Sequence, residues 1–411
     1  MLNGPFPPWP SFTQEEADAV TNVLLSNKVN YWTGKESRAF EKEFAEFAGT
    51  NYAIALSNGT LALDLALHGL GIGSQNGGTT QDEVIVTSRS FIASVSTIVN
   101  AGARPVFADV DAQSGNISGA TVAPVITANT RAILSVHLAG WPCDMDGLRR
   151  AIGTRDIKLV EDCAQAHGAL YKGKPVGGLG DVAAWSFCQD KIMTTGGEGG
   201  MVTCDDEAVW RRMWAFKDHG KSYEAVYERE HAPGFRWLHE SFGTNWRITE
   251  MQSVIGRIQL RRMPAWQAAR AENGAVLTKA LTPFAGEYGP VRVPVPRCAT
   301  CPGCDRLAGC RHAWYKYYAY VRPENLKDGW DRDRIAAEIS AAGVPCIQGS
   351  CSEMYLEKAF EGTGLRPDIP LPVARELGKT SLMFLVHPTL EEAHKAHAAQ
   401  VLEEVLTQAI R

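Results

Sequence analysis

Short apolar runs alternate with stretches of helical spacing through the first half of this chain. The apolar runs predict strands at residues 53–56, 84–86, 105–110, 132–136, 158–160 and 182–187. Helical spacing falls between them, for example at residues 61–70 and 92–100. This alternation predicts an α/β fold with a mostly parallel sheet flanked by helices. Ligands of such sheets bind at the carboxyl ends of the strands.

The alternation of predicted strands and helices ends near residue 265. At its other end, two amphipathic helices are expected before the first strand, at residues 11–25 and 38–47. Beyond residue 265, a strand at Tyr317–Val321 and helices near 333–342 and 390–410 indicate a smaller mixed unit. We therefore predict a large domain at residues 1–265, which includes an N-terminal arm, and a small C-terminal α+β domain at residues 266–411.

Composition excludes several classes of protein. The chain has 411 residues, 45% of them hydrophobic, and a formal net charge of −5. This mild charge gives no reason to expect a nucleic-acid partner, and no apolar run reaches membrane-spanning length. The first residues lack the basic-then-apolar layout of a signal peptide. We expect a cytoplasmic protein whose ten cysteines are reduced.

Lys191 and Asp162 are the candidate catalytic residues. Lys191 is followed by the glycine-rich run 196–200, which leaves room for a planar cofactor close to the backbone. Asp162 ends the apolar run that begins at residue 158. A lysine that forms a Schiff base and a carboxylate for the pyridinium nitrogen are what pyridoxal 5'-phosphate (PLP) requires. Taken alone, Lys191 would be read as a surface lysine and Asp162 as a turn residue.

A phosphate site is predicted where the helix at 61–70 begins. Gly59 and Thr60 open that helix, and its free backbone N–H groups and positive dipole end favour an anion. Ser186, at the end of a predicted strand, would add a hydroxyl group to the phosphate.

A series of motifs resembles one known family. In chain order they are Asn58-Gly59-Thr60-Leu61, Asp82-Glu83-Val84, Arg89-Ser90-Phe91, Pro105-Val106-Phe107, Val136-His137-Leu138-Ala139-Gly140, Glu161-Asp162-Cys163-Ala164-Gln165-Ala166-His167-Gly168 and Asn245-Trp246-Arg247. Their order and spacing resemble the DegT/DnrJ/EryC1/StrS family of sugar aminotransferases over roughly residues 10 to 265. The resemblance implies PLP as cofactor and an aspartate-aminotransferase-like large domain (PLP fold type I).

The resemblance also implies roles for single residues. Gln165 would lie near the phenolic oxygen of the cofactor, with Phe91 stacked on one face of its ring and Ala164 on the other. Asn245 would reach the phosphate of the cofactor in a second subunit, which implies a homodimer with shared active sites.

Three further residues are implied near the sugar. They are Tyr31, Trp32 and His167, the first two of which would reach across the dimer interface. The alternatives are an ordinary turn for Tyr31 and Trp32 and a buried core imidazole for His167.

The implied reaction moves an amino group from L-glutamate or L-glutamine to a keto-sugar. The sugar is expected to be nucleotide-linked and its product to serve a surface polysaccharide or a natural product. One alternative is a sugar 3-dehydratase of the same fold, although such relatives have histidine in place of Lys191. The others are an aminocyclitol aminotransferase and a catalytically silent relative.

Two segments depart from the family pattern. Residues 71–84 contain added glycine and polar residues, which suggest a surface loop. The loop at 298–312 contains Cys298, Cys301, Cys304 and Cys310. Their spacing suits a structural zinc site, and it loosely resembles that around iron–sulfur clusters. A cysteine-bearing loop without metal is the third alternative.

Overall fold

The structure, a computed structural model, describes residues 6–294 and 309–411. Its α-helices are α1 Gln14–Leu25, α2 Glu36–Ala48, α3 Gly59–Gly69, α4 Ala93–Asn100, α5 Gly119–Val122, α6 Met145–Ile152, α7 Glu207–Lys217, α8 Tyr223–Tyr227, α9 Glu250–Leu281, α10 Arg332–Ala341, α11 Pro372–Thr380 and α12 Glu392–Ala409. Its strands are β1 Tyr52–Leu56, β2 Glu83–Thr87, β3 Arg104–Ala108, β4 Thr130–Val136, β5 Lys158–Asp162, β6 Leu170–Tyr171, β7 Lys174–Pro175, β8 Val182–Ser186, β9 Gly200–Cys204, β10 Val291–Arg292, β11 Tyr317–Val321, β12 Cys346–Ile347 and β13 Ser381–Phe384.

A seven-stranded sheet with the order β1-β9-β8-β5-β4-β2-β3 forms the larger layer. Only β9 runs against the other strands, because it pairs antiparallel with both β1 and β8. The other neighbouring pairs are parallel, so six strands end at the same edge. The predicted, mostly parallel sheet is confirmed. Strand β9 was not predicted. It begins at the last residue of the glycine-rich run 196–200, and glycine is not typical of a strand.

Each face of this sheet has its own core. In β1, Ala53 and Ala55 point to one face and Ile54 and Leu56 to the other, as the two-residue period of a strand requires. One core packs against α2 and α6, and the opposite core packs against α3, α4 and α7. Burial on both faces explains why the strands read as short, continuous apolar runs.

The C-terminal part of the chain forms a second, antiparallel sheet with the order β10-β11-β13-β12. It packs against α10, α12 and the end of α9 around a third core. The strand predicted at Tyr317–Val321 is confirmed as β11. No helix among the described residues is long and apolar enough to cross a lipid bilayer.

The helical spacing at residues 265–281 predicts a helix there, and the structure shows that this helix, α9, begins earlier, at Glu250. It is 32 residues long, and the Thr249 side chain and Gln252 form a capping box at its start. Pro264 lies inside the helix. The domain boundary near residue 265 stays a prediction, and that position falls within α9.

Candidate active site

A cavity of about 1120 Å³ lies at the carboxyl ends of the parallel strands, between the two sheets. The predicted site residues that line it are Gly59, Thr60, Phe91, Asp162, Ala164, Gln165, Ser186 and Lys191. Tyr315, Lys316 and Tyr318 line it from the side of the second sheet. The cavity exceeds the range of about 300–1,000 Å³ that is usual for one small ligand. It therefore has room for more than a cofactor.

Asp162 is the last residue of β5, and its carboxylate is buried. One oxygen accepts a hydrogen bond from the Ser94 hydroxyl (2.8 Å) and the other accepts one from the Ala164 N–H (3.1 Å). Burial raises the pKa of this carboxyl group above its ordinary value, although both hydrogen bonds and the Lys191 ammonium oppose the rise. A cationic ligand group beside it would stabilise the ionised form.

Lys191 lies in the loop after β8, and 17% of its side chain is exposed. Its Nζ is 3.4 Å from a carboxylate oxygen of Asp190 and 5.1 Å from the centroid of the Tyr315 ring. The Trp9 indole N–H donates a hydrogen bond of 2.8 Å to the Lys191 carbonyl oxygen. Contacts from the N-terminal arm and from Tyr315, in the segment before β11, therefore fix the loop that follows β8.

The Tyr315 hydroxyl donates a hydrogen bond to Asp190. Burial acts to raise the pKa of Asp190, but Lys191 and this hydroxyl group outweigh it and hold the pKa below its ordinary value. Burial, together with Asp190, raises the pKa of Tyr315 well above its ordinary value. At neutral pH the site thus presents the Asp190 carboxylate and the neutral Tyr315 phenol beside Lys191.

The start of α3 meets the end of β8 at close range. The Asn58 side chain caps the helix by accepting from the Leu61 N–H at 2.9 Å. The first N–H groups of a helix have no acceptor within it, which leaves those of Gly59 and Thr60 available to an anion in the cavity. A Cβ atom at Gly59 would lie 2.5 Å from the Ser186 Cβ, so only glycine fits there.

Phe91 and Gln165 present different groups to the cavity. The Phe91 side chain is 69% exposed, although a large aromatic residue is usually buried. An exposed ring in a cavity wall is suited to a planar ligand. The Gln165 amide oxygen accepts a hydrogen bond of 2.6 Å from the Ala139 N–H, which orients the amide group.

Four predicted residues are not among those that line the cavity. Tyr31 is buried, and its hydroxyl donates to Glu41 at 3.0 Å. Trp32 packs against other aromatic rings. His167 is fully buried, and burial, with the charges of Lys191 and Arg270, lowers its pKa to about 3. Asn245 is exposed. The roles of these four residues stay predictions.

Sequence reasoning missed several residues around the cavity. Ser94 and Asp190 have local signals, since Ser94 follows Phe91 within one helical turn and Asp190 precedes Lys191. Trp9, Tyr315 and Lys316 are far from Lys191 in sequence and have no local signal.

Only one cysteine of the predicted metal cluster lies in a described segment. Cys298, Cys301 and Cys304 lie outside the described residues. Cys310 is exposed, and its sulfur accepts a hydrogen bond of 3.2 Å from the Lys172 N–H. The zinc site stays a prediction.

One other group of metal-ligand side chains occurs in the described parts of the chain: His137, Glu161 and Cys163. The Glu161 carboxylate accepts from the N–H groups of Gly177, Leu179 and Gly180 and contacts the His137 Nε2 at 3.0 Å. The His137 Nδ1 accepts from the Cys143 N–H. These bonds hold Glu161 and His137 in a buried structural network.

Comparison with known proteins identifies the family. The structure resembles that of an aminotransferase from Psychrobacter cryohalolentis, with a TM-score of 0.93 and 59% identity over 98% of this chain and 99% of the other. The GDP-perosamine synthase of Caulobacter vibrioides is 41% identical over 89% of each chain. The dTDP-3-amino-3,4,6-trideoxy-alpha-D-glucose transaminase of Streptomyces venezuelae is 33% identical over 94% of this chain and 90% of its own. Residues 10–405 match the DegT/DnrJ/EryC1/StrS aminotransferase family, and the chain belongs to that family of PLP-dependent sugar aminotransferases.

Proposed function

We propose that this enzyme moves an amino group from L-glutamate or L-glutamine to a nucleotide-linked keto-sugar. The observation that carries the proposal is that Lys191 and Asp162 line one large cavity. The product would be an amino sugar for a surface polysaccharide or a natural product.

The residues around the cavity fit PLP. The glycine at position 59 lets the start of α3 approach Ser186, so Gly59, Thr60 and Ser186 would hold the phosphate. The exposed Phe91 ring and the small Ala164 would hold the faces of the pyridine ring. Asp162 would pair with its nitrogen, and Gln165 would lie near its phenolic oxygen. When bound, PLP supplies an electrophilic carbonyl carbon and an electron sink.

The protein's own groups then handle the proton. Lys191 would take a proton at Nζ from the carbon that bears the donor's amino group, as a general base. Asp190 lies within ion-pair distance and would stabilise the ammonium form that results. The same groups would act in reverse on the keto-sugar.

The size of the cavity supports a large acceptor. The GDP-perosamine synthase and the dTDP-amino-sugar transaminase named above are relatives whose names refer to nucleotide-linked sugars. Lys191 disfavours the dehydratase alternative, because the dehydratases that the family contains have histidine at this position. An aminocyclitol acceptor stays the second candidate: a 3-amino-5-hydroxybenzoate synthase, a relative with a carbocyclic product, is 36% identical over 67% of this chain.

The visible absorption spectrum of the purified enzyme tests the proposal. We expect the band of lysine-bound PLP to disappear on titration with L-glutamate or L-glutamine, and to return when a keto-sugar acceptor is added. GDP- and dTDP-linked keto-sugars are the first acceptors to test. A band that neither amino acid changes would contradict the aminotransferase proposal.

We also propose that two chains share each active site. Phe235, Trp237 and Phe242 have exposed side chains (75%, 75% and 100%) in the segment before Asn245. Exposed apolar groups that lie together mark interaction surfaces. A second copy would cover them and take Asn245 toward its cofactor phosphate. Sedimentation analysis should then give a dimer.

The cysteine loop gives a prediction of its own. Because thiolates at this spacing suit tetrahedral zinc, we expect about one zinc ion per chain, and its loss in Cys310→Ser. Elemental analysis by plasma mass spectrometry measures it. Cys351→Ser, which changes an exposed cysteine elsewhere, is the control. Iron with sulfide, or no bound metal, would contradict the zinc prediction.

A further inference from the structure

Lys316 is a second lysine in the wall of the active-site cavity. It directly precedes β11, so the second sheet presents it toward the first. Its Nζ is 4.9 Å from the centroid of the Tyr315 ring, and the Lys191 Nζ is 5.1 Å from the same centroid. The Nζ atoms of both lysines therefore lie close to one aromatic ring.

Within the described parts of the chain, the charge of Lys316 has no partner in direct contact. Among the described residues, no carboxylate lies within ion-pair distance of its Nζ. Asp190 attracts it from further away, but the Asp190 oxygens already contact Lys191 and the Tyr315 hydroxyl. Burial lowers the pKa of Lys316 to about 8, and the positive charges of Arg270 and Lys191 add to the effect. A partly buried cation without an anion is unfavourable, and an anionic ligand would relieve the cost.

We propose that Lys316 binds a carboxylate of the amino donor. The inference rests on the proposed function, because it assigns one substrate of that reaction to this residue. The donor must bring its amino group to Lys191. Because the donor is a small molecule, its carboxylates then lie close to Lys191 as well. The other lysine that lines the cavity, Lys358, is exposed and follows Glu357 directly. Lys316 is thus the cation that the cavity offers next to Lys191.

Three variants of the PLP-loaded enzyme test this assignment. Lys316→Met removes the charge, Lys316→Arg keeps it, and Lys279→Met changes an exposed lysine at the end of α9 as the matched control. The concentration dependence of the half-reaction with L-glutamate separates binding from the rate at saturation. We expect Lys316→Met to raise the apparent Kd for L-glutamate about 10- to 100-fold, the loss that a hydrogen bond to a charged group gives. The rate at saturation should change less, and Lys316→Arg should recover most of the affinity.

L-Glutamine distinguishes the two carboxylates of the donor. An equal loss with L-glutamine would assign the contact to the α-carboxylate, and a loss confined to L-glutamate would assign it to the side chain. An unchanged Kd for both amino acids in Lys316→Met would overturn the proposal.

A binding measurement keeps this test separate from the proposed function. Glutarate has two carboxylates and no amino group, so it binds without reacting. Calorimetry with the PLP-loaded enzyme should show glutarate binding to the wild type and at least about 10-fold weaker binding to Lys316→Met. If neither amino acid reacts but glutarate gives this difference, the reaction is wrong and the carboxylate site stands. Equal binding to both proteins, or no binding to either, would overturn the carboxylate site.

Discussion

Replacing Lys191 with alanine is expected to abolish turnover and the visible band of lysine-bound PLP. Lys191 is the lysine held by Asp190, by the Tyr315 ring and by the Trp9 indole, and alanine offers neither a nucleophile nor a base. We expect the rate of amino transfer to fall by at least about 10³-fold, because general-base catalysis alone contributes about 10²- to 10⁴-fold. Stopped-flow absorbance with L-glutamate measures the half-reaction directly.

Lys279→Ala is the matched control for this loss. Lys279 is an exposed lysine in the last turn of α9, and its replacement should leave both the band and the rate unchanged. A Lys191→Ala enzyme that kept the band would assign the covalent role to another lysine, and Lys316 would be the first to test. A catalytically silent relative would show no turnover in the wild type either.

The core of the site could be predicted from the sequence because its parts are local. Asp162 ends a buried strand, and Lys191 stands next to a glycine-rich loop, so each carries its signal in its neighbours. The parallel sheet then brings the two strand ends together at one edge. The fold was predictable for a similar reason. Both faces of the sheet are buried, so β1 carries alanines on one face and larger apolar residues on the other.

The remainder of the site depends on contacts between distant parts of the chain. The Trp9 indole and the carbonyl group of Lys191 are 182 positions apart, and nothing near Trp9 indicates this bond. Tyr315 and Lys316 enter the cavity only because the second sheet packs over the first. Helix α9 runs through residue 265, where the sequence pattern changes, and holds Pro264 in its interior, although proline usually kinks or ends a helix there.

Replacing Asp162 with asparagine is expected to slow amino transfer by about 100-fold or more, because the side chain keeps its shape but loses the charge that the pyridinium nitrogen needs.

The thermal stability of the cofactor-free protein should not fall with this replacement. Burial raises the pKa of the Asp162 carboxyl group in the folded protein above its value in the unfolded chain. The ionised carboxylate therefore lowers the free energy of unfolding, and this loss develops as the pH rises toward and through the pKa of Asp162 in the folded protein. Cofactor-free Asp162→Asn should therefore melt at or above the wild-type temperature at neutral pH. Thermal melts with and without PLP, beside single-turnover rates, separate the two effects. A variant that melts well below the wild type without PLP would contradict the stability prediction, and an unchanged rate of amino transfer would remove Asp162 from the catalytic assignment.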